Sequence, residues 1–82
     1  MHIPHELQEE FPGEAALIAR LKKTNYLFRR WTDLYDEVNR QIFRIESEEE
    51  PTADEVLENL KKERLKLKDQ IARMLTRTER RM

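Results

Sequence analysis

The chain has 82 residues, with 16 Lys or Arg against 17 Asp or Glu and a net charge of −1. That length suits one small domain, and the near balance of charge favours neither polyanions nor polycations as partners. There is no cysteine, which excludes disulfides, thiol nucleophiles and thiolate zinc sites and fits a reducing cytoplasm.

Charged residues make up 40% of the chain, and one Gly and three Pro leave little material for turns. Leu, Glu, Lys, Arg and Gln dominate, so the chain should be almost entirely helical. Residues 1–12 read as an arm. Pro4 can open a short helix, Leu7 and Phe11 share one face at i, i+4, and Pro12 stops the helix at Phe11. Residues 13–46 read as one long helix. Its apolar residues Leu17, Leu21, Phe28, Trp31, Tyr35, Val38, Ile42 and Ile45 keep a 4–3 spacing that only Thr24 interrupts, a heptad seam. Ile18, Leu27 and Leu34 widen the stripe beyond what one neighbouring helix covers.

Residues 47–52 form an acidic turn, in which Pro51 and the glutamates around it oppose continuation of the helix. "TADE", residues 52–55, predicts a capping box from Thr52 to Glu55. A second helix follows over 53–79, with 80–82 frayed. Leu57, Leu60, Leu67, Ile71 and Met74 keep the 4–3 spacing, and Arg64 takes its one polar slot. A short turn between two amphipathic helices makes them antiparallel neighbours. Centred near residues 49–50, it would set Leu57 beside Ile42, Leu60 beside Val38, Leu67 beside Trp31 and Ile71 beside Phe28. Arg64 would then stack on Tyr35, pair with Asp36 and fix the register. The expected fold is all-α, a single domain with a short helical arm and a long coiled-coil-like hairpin. Two helices bury too little of the stripe, so the hairpin should dimerise into a four-helix bundle through Leu21, Leu27, Phe28, Trp31, Leu34, Tyr35, Val38 and Ile42.

The chain resembles the YdcH family, small bacterial proteins built around a domain of unknown function. The resemblance rests on "HEL..EFP" at His5–Pro12, "I..LK" at Ile18–Lys22, Phe28, Tyr35, "RIE" at Arg44–Glu46, "EPT.D" at Glu50–Asp54 and "LKKERLKLKDQI" at residues 60–71. It implies a helical, coiled-coil-like hairpin and carries no activity, ligand or catalytic residue.

No chemistry is legible. His2 and His5, with Glu6 and Glu9, fall short of a metal site. There is no phosphate loop and no serine motif with a base, so no enzyme, cofactor or small-molecule substrate is expected. The longest apolar run, "AALIA" at residues 15–19, is too short for a membrane span or a signal peptide core. A soluble, cytoplasmic protein without a membrane role is therefore expected. The charge pattern says more. Residues 46–58 carry seven acids and no base, and residues 61–82 nine bases and three acids. The favoured function is protein–protein interaction or self-association, the partner being a second copy or another helical protein. The alternative is binding of RNA or DNA backbone through a basic patch of Arg20, Lys22, Lys23, Arg29, Arg30, Arg73 and Arg77, with Tyr26 as an aromatic beside it.

Overall fold

The structure, a computed structural model, describes residues 2–48 and 50–81. Glu49, part of the expected turn, and Met82, part of the expected frayed end, lie outside the described residues. Among the described residues four α-helices follow in chain order: α1 (Leu7–Glu10), α2 (Ala15–Thr24), α3 (Tyr26–Glu46) and α4 (Asp54–Arg80), with a 3₁₀ turn at Pro12–Glu14. No strand occurs among the described residues. The molecule measures 45 × 24 × 18 Å, its long axis set by the antiparallel pair α3 and α4.

The arm helix begins later than Pro4 suggests. Pro4 and His5 form a turn, with His5 in the left-handed region at φ 64°. The helix ends where Pro12 requires: Phe11 leaves the helical region at φ −132° and ψ 62°, and its N–H reaches the Leu7 carbonyl at 2.8 Å.

The helix expected over 13–46 is broken at Asn25, which is extended at φ −131° and ψ 109°. Its N–H closes α2 on the Leu21 carbonyl at 2.8 Å, and its side chain opens α3 by accepting the Phe28 N–H at 3.0 Å. Asn is a strong N-cap and a poor interior helix residue. Thr24, whose hydroxyl bonds back to the Arg20 carbonyl at 3.0 Å, marks the same weak point. The heptad phase runs across the break unchanged, so periodicity alone conceals it.

The acidic turn contains a second left-handed residue, Glu48 at φ 64°. The Thr52 capping box does not form. Ala53 is the extended residue before α4, its side chain offers no cap, and its carbonyl accepts the N–H groups of Val56 and Leu57 at 3.0 and 3.3 Å. The helix thus starts one residue later than the box requires, while Asp54 and Glu55 still place negative charge at its positive end.

The core differs from the expected seam by a rotation of α3. The buried line of α3 is Phe28, Thr32, Tyr35, Asn39 and Ile42, and that of α4 is Leu67, Ile71 and Leu75. Trp31 and Val38, which heptad counting places in the seam, are only half-buried; Thr32 and Asn39 take the interior. Leu7 of the arm and Ile18 and Leu21 of α2 complete the cluster. The arm and α2 lie along one side of α3, and the buried line swings toward them.

Candidate interaction surface

The polar residues on the buried line hold the arm. The Tyr35 hydroxyl donates to the His5 carbonyl at 2.5 Å, and Asn39 Nδ2 donates to the Pro4 carbonyl at 2.9 Å. Asn39 Oδ1 in turn accepts from Arg64 Nη1 at 2.9 Å. Arg64 therefore neither pairs with Asp36 nor points into open solvent. It meets Asn39, one helical turn beyond the expected neighbour Tyr35. Nearer the turn, Lys61 Nζ lies 3.1 Å from Glu46.

Outside this node, Lys68 Nζ lies 3.2 Å and His5 Nδ1 3.3 Å from Glu10 Oε1. Partial burial raises the Glu10 carboxyl, but the hydrogen bonds with Lys68 and His5 outweigh it and hold the group below its ordinary range. Glu14 shares a hydrogen bond with Glu79 of α4, and that bond, with burial, pushes its carboxyl up. Glu10–Lys68 and Glu14–Glu79 together mark which side of α4 the arm lies on.

Burial pushes the Tyr35 hydroxyl up to about 12; Glu10 and Asp36 add to this and Arg64 opposes it. A raised pKa means that its contribution is whole below the ordinary value of 10.0 and is lost as pH climbs toward the folded value. That loss is roughly 2–3 kcal/mol. Chemical melts stepped from neutral to alkaline pH should show it in the Tyr26→Phe chain. The same melts of the Tyr35→Phe chain should lack the step; an equal loss there would assign it to other groups.

With the arm on one side, the opposite flank of the hairpin is open. Leu27, Trp31, Leu34, Val38 and Ile45 repeat at heptad spacing along α3, and Val56, Leu60 and Met74 along α4. At 3.6 residues per turn, Val38 stands about half a turn round α3 from Asp36, which faces the arm. Val56 and Met74 stand about a third of a turn round α4 from Lys68 and Glu79. Both lines thus fall on the flank away from the arm. All are half-buried or exposed, Leu27 keeping 50% and Val56 48% of their accessible surface. The expected stripe is therefore divided. Leu21, Phe28, Tyr35 and Ile42 are spent inside the molecule and present no binding surface. Leu27, Trp31, Leu34 and Val38 remain on it.

The residues of the expected basic patch line different hollows. Lys22 lines a cleft of about 350 Å³ between the arm, α2 and α3, with Ile3, Leu7, Ile18, Asp36 and Arg40. There burial raises the Asp36 carboxyl, against the opposing pull of Lys22 and Arg40. Arg29 and Arg30 line another hollow beside Tyr26. Arg73 and Arg77 line a third with Arg80 and Arg81. Arg20 and Lys23 line none of these three. His2 and His5 each contact a single carboxylate, Glu9 and Glu10 respectively, and no cluster of three metal-ligating residues occurs among the described residues. None of the described helices is long and apolar enough to cross a membrane.

Sequence reasoning missed Thr32, Asn39 and Leu75. The signal for the first two was present: polar residues seven apart, each one position beyond an aromatic or aliphatic seam residue. Heptad counting assigns such positions to the outside, and only the docked arm turns them inward.

A family model described as a protein of unknown function (DUF465) matches residues 28–75. That span takes in most of α3, the turn and most of α4, and leaves out the arm and α2. No curated protein and no solved structure matches the chain.

Proposed function

The chain belongs to this DUF465 family, the YdcH proteins of unknown function, and from its surface we propose that it is a non-enzymatic self-association module of the cytoplasm. Two copies pair through the open flanks of α3 and α4 and so complete a four-helix bundle. The observation that carries this is the pair of apolar heptad lines on the flank opposite the arm. Trp31, Leu34, Val38 and Met74 pack against the core yet keep part of their surface open, and apolar surface of this pattern is what helical bundles bury.

Two further observations favour a second copy as the occupant. The accessible surface is 6041 Å². A compact monomer of 10.0 kDa would expose about 5,200 Å². The excess of about 800 Å² equals what one partner buries in a standard interface. Charge also matches: an antiparallel, two-fold arrangement lays the acidic turn of one copy beside the start of α3 in the other, where Arg29 and Arg30 stand, each complementing the other twice.

Sedimentation velocity from low to high micromolar concentration tests the reading. The parent chain should sediment as two copies. Leu27→Glu with Val56→Glu should sediment as one, with helical circular dichroism retained because both side chains are exposed. A parent that stays single at every concentration, or a pair indifferent to these changes, would refute it.

A further inference from the structure

The outer face of the last turns of α4 carries a feature that self-association leaves unused. Arg73, Arg77, Arg80 and Arg81, with Ala72 and Thr76 between them, line one open hollow of about 490 Å³. The face points away from Ile71 and Leu75, which lie in the core. Four other cations lie beside carboxylates: Arg29 at Asp33, Arg44 at Glu50, Lys61 at Glu46 and Lys68 at Glu10. None of the hydrogen bonds or ion pairs among the described residues engages these four guanidinium groups. The one acid in the stretch, Glu79, is turned to Glu14.

Helix ends often carry cations that answer the macrodipole, an effect confined to the last turn. That accounts for Arg77 and Arg80, the basic residues of the last turn. It does not account for Arg73, two turns from the end. From Arg73 to Arg81 the helix rises about 12 Å. One nucleic-acid strand carries one phosphate per ~3.4 Å of axis, so about three or four phosphates span the same length. Four guanidinium forks match that number, and each fork suits bidentate contact with phosphate oxygens. A lipid surface would need large apolar side chains beside the cations. Here the hollow holds only Ala72 and Thr76 beside the cations.

We propose that this arginine face binds the phosphate backbone of nucleic acid without reading its sequence. The site stands apart from the open flank and functions whether or not two copies pair.

Fluorescence anisotropy with labelled single-stranded RNA, single-stranded DNA and duplex DNA, titrated at stepped salt, tests it. The full chain should bind, and log K should fall against log salt with a slope near −3 for single strands and near −3.5 for duplex. The ratio among the three probes shows which polymer is preferred. Arg73→Gln with Arg77→Gln should make the slope shallower by about 1.4–1.8, equally for unrelated sequences. Lys62→Gln with Lys66→Gln removes the same charge elsewhere on α4 and should leave the slope unchanged. All four positions are exposed, so circular dichroism should not change. No binding at low salt, an equal loss in the lysine control, or tighter binding to phosphatidylserine vesicles than to any oligonucleotide would each overturn the proposal.

Discussion

Phe28→Ala is expected to leave the chain largely unfolded at room temperature and low micromolar concentration. Phe28 is fully buried and sits with Tyr35, Ile71 and Leu75 in the one core cluster. Truncating a buried Phe to Ala costs about 3–5 kcal/mol, from lost transfer energy and the cavity left behind. A core of this size supplies roughly 3–5 kcal/mol in total, so one substitution consumes the margin. Thermal melts by circular dichroism would show the helical signal lost without a cooperative transition. Leu65→Ala is the control: Leu65 keeps 60% of its surface, and its loss should stay within about 0.5 kcal/mol. A Phe28→Ala chain that melts like its parent would mean that the core lies elsewhere.

Asn39→Ala should cost about 3 kcal/mol, far more than the size of the side chain suggests. Asn39 is 3% exposed and holds two elements at once. Its Nδ2 satisfies the Pro4 carbonyl and its Oδ1 satisfies Arg64. The substitution removes one neutral bond, worth about 1 kcal/mol, and one with a charged partner, worth about 2. It also strands a half-buried guanidinium. The arm should loosen with it, read as faster hydrogen exchange at the Glu10 and Phe11 amides, whose partners are the Glu6 and Leu7 carbonyls. A double-mutant cycle with Arg64→Met separates the parts: the coupling between Asn39 and Arg64 should reach about 1–2 kcal/mol. Zero coupling would show that the contact contributes nothing to the fold.

Arg64 also shows how far spacing reaches. A polar residue in an apolar seam reads as something that needs a partner, and its partner does lie on α3. Which residue that is depends on the length of the turn. Helix α4 starts at Asp54 rather than Ala53, and Glu48 takes a left-handed conformation. A slide of one turn exchanges Tyr35 and Asp36 for Asn39, and periodicity alone cannot distinguish the two registers.

The sequence by itself determined the helical character, the acidic turn, the antiparallel hairpin and the stop of the arm helix at Phe11. Each of these follows from short-range causes: composition, 3.6-residue periodicity, and the restrictions Pro imposes on its neighbours. The break at Asn25 belongs in part to this group, since Thr24 and Asn25 are local signals that an unbroken heptad phase outweighed. Only the tertiary structure decided which of two adjacent heptad lines on α3 would be buried. Heptad counting selects Trp31 and Val38. The docked arm instead draws Asn39 inward, because its turn presents the Pro4 and His5 carbonyls, which Asn39 and Tyr35 satisfy on burial; Thr32 is buried on the same line, its hydroxyl bonded back to the Arg29 carbonyl. The rotation that results leaves Trp31, Leu34 and Val38 on the far flank. The open surface of this protein is thus set by contacts between residues 30 and 35 positions apart, which no local pattern encodes.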